Sequence, residues 1–389
     1  MGKLTRRALI GGGLVAGAGV AYGAYWLRKR PAPAPLGFEV VEDERAAAIA
    51  LLDKYPAIDS HAHPGRTFAR DASGLAPLLK VYKAQSGFER RTIADMREGH
   101  LAAACFAAVS DFNVLNLAKG KGLEAQRPFR EGEAWESYKV QIGNLKRLAK
   151  QNLVTEMLTP ESLDAARASG RPGAIWTVEG GDFLEGSIER VNEAYQDGVR
   201  SITLVHYRTN GLADAMTNEP VHDGLTSEGD AIIREMNRLG MMIDLSHMAE
   251  AGAFRALELS TLPVMFTHTH ISSAHSYHPR FISLELAKAA ADAGGIIGAW
   301  PSGIEISDLA GFGDRIFQLV DLVGIDHVCL GSDMDANYKP VFDNYRHLPD
   351  LVALLRRKGM SEPELAAFLG GNFQRVWRAN EAARAGDTP

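Results

Sequence analysis

From residue 57 onward, short runs of almost uninterrupted apolar residues recur along the chain. They are Ala57–His61, Ala103–Val109, Ala174–Glu179, Arg200–Val205, Met241–Ser246, Pro263–His268, Gly295–Trp300 and His327–Ser332. Strict alternation would mark strands with one wet face, whereas continuous runs suit parallel strands covered on both faces. Segments with helical spacing lie between them. In Glu228–Leu239, residues Ile232, Met236 and Leu239 fall on one face, Ser227 is placed to cap the first turn, and Gly240 ends it. Similar patterns cover Trp135–Lys150, Ser187–Gln196, Leu284–Asp292, Arg315–Val323 and Glu362–Leu369. Eight runs with helices between them predict an α/β fold, a closed (β/α)8 barrel of the TIM type. The alternative is an open doubly wound sheet, which no glycine-rich phosphate fingerprint after the first run supports. Gly65–Arg91 and Asp111–Glu133 read as long connections, placed to form rim loops or lids.

The first thirty residues follow another pattern. Lys3, Arg6 and Arg7 precede an uncharged, Gly- and Ala-rich stretch from Ala8 to Leu27. Thr5-Arg6-Arg7 ahead of this weakly apolar run resembles a twin-arginine export signal, which predicts an exported, periplasmic protein. Ala21-Tyr22-Gly23 offers a small-x-small cleavage site. The stretch also reaches the ~20 residues that span a bilayer, so a retained anchor tethering the protein to the membrane stays open. Pro31-Ala32-Pro33-Ala34-Pro35 reads as a stiff, extended linker. The chain thus divides into a signal or anchor (1–30), a linker (31–37), a barrel domain (38–380) and a carboxy-terminal tail (381–389).

Composition narrows the function classes. With a net charge of -6 and 46% hydrophobic residues, the chain is an ordinary globular protein with no call for a nucleic-acid partner. Both cysteines, Cys105 and Cys329, sit inside apolar runs and read as packed free thiols.

Chemistry concentrates at the ends of the runs. The first ends in Asp59-Ser60-His61-Ala62-His63 and the third in Val178-Glu179-Gly180-Gly181. The fourth ends in His206, the fifth in Asp244-Leu245-Ser246-His247, the sixth in Phe266-Thr267-His268, and the eighth in Gly331-Ser332-Asp333. Parallel strand ends of a barrel meet at one face, so these groups converge on one mouth. His61 and His63, two apart on a strand, share a face. One strand-end histidine alone is more often a hydrogen-bonded structural residue. Four imidazoles and one carboxylate at successive ends point instead to metal, as two open sites sharing Glu179. Imidazole and carboxylate donors suit zinc or a similar ion. His100, His222, His275, His278, His327 and His347 read as structural or surface residues, and His270 as a neighbour of the site that is not a ligand.

These residues also carry a resemblance. "IDSHAHP" at Ile58–Pro64, "VEGG" at Val178–Gly181, "EMNRLGMMIDLSH" at Glu235–His247 and "PVMFTHTHISS" at Pro263–Ser273 resemble motifs of the membrane (renal) dipeptidase family of zinc peptidases. "HPR" at His278–Arg280, "GSDMD" at Gly331–Asp335 and "GGNFQRVWR" at Gly370–Arg378 follow in the family order. The resemblance implies two Zn2+ ions: one on His61 and His63, the other on His247 and His268, with Glu179 bridging. It implies a hydroxide between the metals that attacks the peptide carbonyl. His206 would contact the substrate carbonyl and stabilise the oxyanion. Asp333 would pass a proton from the nucleophile to the leaving amine, and Arg280 would clamp the terminal carboxylate. It leaves a homodimer open.

One departure stands out. The family's first motif is His-x-Asp, and here it is His61-Ala62-His63, which exchanges a carboxylate for a neutral imidazole. Asp182 stands where the family often has histidine, and Ala336 where it often has glycine. The expected function is zinc-dependent hydrolysis of dipeptides or similar small carboxylated amides. Two alternatives remain at this point: a related barrel hydrolase of another amide, ester or lactone, and an inactive exported protein that binds metal or ligand.

Overall fold

The structure is a computed structural model that describes residues 32–118, 122–273 and 276–386, so the export-signal reading and His275 lie outside the described residues. Each of the eight apolar runs forms a strand: β1 (Ala57–Ala62), β2 (Leu101–Val109), β3 (Gly173–Glu179), β4 (Val199–Thr203), β5 (Met242–Asp244), β6 (Met265–Thr269), β7 (Ile296–Ala299) and β8 (Val328–Leu330). They pair in parallel in that order, and β8 pairs back to β1, so the sheet closes into a barrel. The open doubly wound alternative is thereby excluded. Every residue of β1, β3, β4, β6 and β7 is buried, as expected for a sheet lined inside and covered by helices outside.

The two ends of the barrel differ in chemistry. One end is an apolar plug in which Ile58, Ile175, Met242, Met265 and Ile296 pack with Phe373 and Trp377. The last two come from the terminal helix Asn372–Gly386, so the expected tail beyond 380 is helical through Gly386. Cys105 and Cys329 lie in this cluster as buried free thiols. The polar strand ends gather at the opposite end.

Several local expectations need correction. The helix Ser227–Arg238 is capped by Thr226, whose side chain accepts from Gly229 N, and not by Ser227. The helix expected from Arg315 starts at Leu309, because Asp308 caps it by accepting from Gly311 N. The expected Glu362–Leu369 helix ends at Ala366 and passes through a π turn, Ala367–Gly371, into the terminal helix. The linker is docked against the domain. Ala34 N donates to Asp343 Oδ2, and the carbonyls of Pro35 and Leu36 accept from Leu309 and Ala310.

The two long connections are structured. The first holds a 3-10 turn, Pro64–Ala69, and a helix, Pro77–Ala84; the second holds a hairpin of Leu115–Ala118 and Gly122–Ala125. Phe68, Leu79, Phe112 and Leu115 from these segments form an apolar cluster beside the mouth. The Phe68 ring stands edge-on to His63, 5.1 Å away. No helix of the described residues is long and apolar enough to cross a membrane.

Candidate metal centre

Glu179, at the tip of β3, is the hub of the polar end. Its Oε1 lies 3.0 Å from His247 Nε2 and 3.4 Å from both His61 Nε2 and His268 Nε2. Its Oε2 lies 3.4 Å from His63 Nε2 and 3.4 Å from His206 Nε2. Asp333 Oδ1 stands 3.4 Å from His63 Nε2. All these residues are buried. The seven strand-end groups singled out in the sequence therefore meet in one place. Three overlapping sets have ligand atoms within 4.8 Å of one another: His61, Glu179 and His268; His61, His63 and Asp333; and Glu179, His206 and His247.

The donor chemistry and spacing fit divalent cations. Ligands ~2.1 Å from a shared ion at tetrahedral angles stand about 3.4 Å apart. That is the separation of Glu179 from His61, His63, His206 and His268. Ring nitrogens also crowd together: His61 Nε2 is 3.0 Å from His63 Nε2, and His247 Nε2 is 3.0 Å from His268 Nε2. These are the two expected histidine pairs, and the Glu179 carboxylate stands between them. Oε1 faces His61, His247 and His268 together, and only Oε2 faces His63.

Charge is distributed unevenly. Burial opposes ionisation of Glu179, yet His206 and His61 hold its carboxyl well below the usual range. Burial and the Arg280 guanidinium keep His247 well below the ordinary histidine value, and burial with His61 does the same for His268. Burial also opposes a charge on His61, but Glu179 and Asp333 outweigh it and bring that imidazole up to about 9. Burial pushes Asp333 up to about 6.

Partners behind the ring nitrogens orient them. His63 Nδ1 lies 3.2 Å from the Ala107 carbonyl, which can only accept, so Nε2 keeps its lone pair for a metal. His206 Nδ1 is 2.7 Å from Asp111 Oδ1, and Asp111 Oδ2 accepts from Tyr207 N. Asp111 was missed in the sequence. It lies two residues past β2, where the strand-end rule that picked out the other groups also applies. Asp59 and Asp244 precede the strand-end histidines by two and three residues. Both are buried carboxylates that pin strands: Asp59 Oδ1 accepts from His61 N and Ser332 N, and Asp244 Oδ1 from Ser246 N and Thr267 N. Asp182 pairs with Arg208 Nη1 at 2.5 Å.

Close approach here requires glycine. A Cβ on Gly298 or on Gly331 would lie 1.9 Å from the Thr267 carbonyl oxygen, well inside contact distance. His247 and Asp333 both adopt a positive φ, 67° and 52°, which L residues take rarely and mostly where the surroundings impose it.

Arg280 is 3% exposed. Its Nη1 reaches Met216 Sδ and its Nη2 donates to His247 Nε2, each at 3.0 Å, and Nε has no partner. Among the described residues no carboxylate forms a salt bridge with it. His247 Nε2 has one lone pair, so it accepts from Arg280 or binds a cation, not both.

Comparison with known proteins agrees with this picture. The family model described as "Membrane dipeptidase (Peptidase family M19)" matches residues 45–388. The chain is 33% identical over 215 residues to dipeptidase verJ of Clonostachys rogersoniana, a match covering 54% of this chain and 55% of that protein. It is 31% identical over 231 residues to dipeptidase tcpJ of Claviceps purpurea, covering 56% and 53%. It thus spans about half the length of the curated relatives it matches. Among solved structures, the metallo peptidase of Rhodobacter sphaeroides liganded with a phosphinate mimic of the dipeptide L-Ala-D-Ala superposes with a TM-score of 0.69 at 21% identity, covering 84% of this chain and 99% of that one. The probable dipeptidase PvdM of Pseudomonas aeruginosa gives 0.70 at 18%, covering 88% and 100%. At such identities these two speak for the fold. The family match, which takes in nearly all of the barrel domain, settles the affiliation: the chain belongs to the membrane dipeptidase family, peptidase family M19.

Proposed function

We propose that the protein hydrolyses dipeptides, or similar small amides bearing a carboxylate, using two zinc-type cations held by His61, His63, Glu179, His247 and His268. The observation that carries the substrate class is Arg280: a buried guanidinium beside the ligand cluster with no salt-bridged carboxylate among the described residues. A buried cation without a counter-charge is costly, and a planar carboxylate from the substrate is the group that its fork fits best. When bound, the cations supply Lewis acidity and bring the pKa of water down to ~7.

The chain's own side chains do the rest. Arg280 exchanges its hydrogen bond to His247 for the substrate's terminal carboxylate. His206, held at Nδ1 by Asp111, turns Nε2 toward Glu179 and so toward the place where the scissile carbonyl oxygen sits. Asp333, pushed up to about 6 by burial against the pull of His63 and His61, takes the proton of the attacking water and delivers it to the leaving amine. On this reading, residues 1–30 carry the enzyme out of the cytoplasm or tether it to the membrane.

The test joins elemental analysis to a hydrolysis panel of free dipeptides, amidated dipeptides, esters and lactones, with both L and D carboxy-terminal residues. We expect about two ions per chain and cleavage confined to substrates with a free carboxylate. Cleavage only of substrates without a carboxylate favours a different hydrolase, and tight metal without any cleavage favours a binding protein. A further expectation concerns Asp111→Asn. It should lower kcat ~10²-fold while leaving the metal content unchanged, since Asp111 holds His206 and the Tyr207 backbone and touches none of the five proposed ligands. Turnover measured beside elemental analysis checks this.

A further inference from the structure

We infer that Thr267 is a positioning residue that fixes the tautomer of two metal-ligand histidines at once. This deepens the metal-centre reading and rests on it. Thr267 Oγ1 lies 3.3 Å from His61 Nδ1 and 3.1 Å from His268 Nδ1. The same oxygen is 2.7 Å from Asp244 Oδ2.

The assignment follows from counting protons and lone pairs. A hydroxyl has one hydrogen to give and two lone pairs to offer. Asp244 is buried and, as a carboxylate, only accepts, so it takes the single Thr267 hydrogen. Its orientation has little freedom. Oδ2 also accepts from Thr203 Oγ1 at 2.6 Å, while Oδ1 accepts from the backbone of Ser246 and Thr267. With its hydrogen committed, Thr267 Oγ1 faces both imidazoles as an acceptor. Each Nδ1 must therefore carry a hydrogen, and in the neutral ring that a metal requires, Nε2 keeps its lone pair toward Glu179. Ser246 Oγ is a fourth neighbour at 3.3 Å, and two donating imidazoles leave Thr267 no lone pair for it.

Position makes the arrangement consequential. His61 stands on β1 and His268 on β6, so one hydroxyl links two strands that β7 and β8 separate around the barrel. The other rings are held separately, His63 by a carbonyl and His206 by Asp111, while His247 Nδ1 has no partner among the described residues. The Thr267 backbone is itself wedged, since Gly298 and Gly331 both approach its carbonyl with no room for a Cβ. Such a hydroxyl can drift little.

Three measurements on Thr267→Val and Thr267→Ser test the inference. They are zinc affinity by competition with a chromophoric chelator, the Tm of the metal-free protein, and 15N shifts of the imidazoles in the metal-free protein. We expect Val to weaken zinc binding ~10–100-fold, as loss of a ligand's outer partner does, with the metal-free Tm little changed. Serine, which keeps the hydroxyl, should restore binding, and the shifts of His61 and His268 should report hydrogen on Nδ1 in the wild type but not in Val. The inference is overturned if Val binds zinc as the wild type does, if binding falls only in step with the metal-free Tm, or if the wild-type shifts of the neutral rings place the hydrogen on Nε2 and not on Nδ1. A wild type that holds no metal at all would instead end the metal-centre reading, which keeps the two failures apart.

Discussion

Glu179→Ala is expected to strip both cations from the protein and to lower dipeptide turnover by at least ~10³-fold. Glu179 is the carboxylate shared by all the ring nitrogens of the cluster: its two oxygens reach His61, His247 and His268 on one side and His63 and His206 on the other. The remaining proposed ligands are neutral imidazoles, so its loss leaves two divalent ions in a buried site with Asp333 as the nearest negative charge. Losing Lewis acidity worth several kcal/mol accounts for the rate, at 1.36 kcal/mol per factor of ten. Glu179→Gln separates charge from shape. It keeps one oxygen donor and should hold metal more weakly than the wild type but better than alanine. Elemental analysis of all three proteins, beside their turnover, checks the order. Retention of two ions by Glu179→Ala would sink the shared-ligand arrangement.

What the sequence made legible follows from where each physical signal resides. Burial on both faces leaves a local mark, an unbroken apolar run, and all eight such runs are strands of the barrel. Strand ends are also local, and they point to one face in any parallel barrel, so His61, Glu179, His247 and His268 could be placed together without coordinates. Boundaries were less legible, because Thr226 and Ser227 are equally good caps and only backbone geometry chooses between them. The antiparallel pair Leu115–Ala118 and Gly122–Ala125 alternates over only three or four residues a side, too short a stretch to mark a strand by itself. Least legible were the partners behind the ligands. Thr267 meets His61 across 206 residues of chain, and His206 meets Asp111 across 95, so no spacing rule reaches either pair. The His63 departure shows the same limit. The sequence carries the exchange of a carboxylate for an imidazole, but only the fold shows that the Ala107 carbonyl stands 3.2 Å from His63 Nδ1 and fixes the ring.

Arg280→Ala is expected to raise KM for free dipeptides ~10²–10³-fold while leaving hydrolysis of amidated dipeptides nearly untouched. A charge-assisted, two-pronged contact to a carboxylate in a buried pocket costs several kcal/mol to lose, which sets that range. Arg280→Lys keeps the charge but not the planar fork, and should fall between the two. The metal content distinguishes this effect from a damaged site. Arg280 places a positive charge 3.0 Å from His247 Nε2 and helps hold that imidazole well below its usual pKa. Removing the guanidinium takes away a competitor for the lone pair and a repulsion against any cation. Zinc should therefore bind Arg280→Ala at least as tightly as the wild type, even as free dipeptides bind worse. Kinetics on matched free and amidated substrates, with chelator competition on the same preparations, read both quantities. Equal losses on the two substrates would show that Arg280 supports the centre itself, and the carboxylated-substrate reading would fall while the metal reading stood.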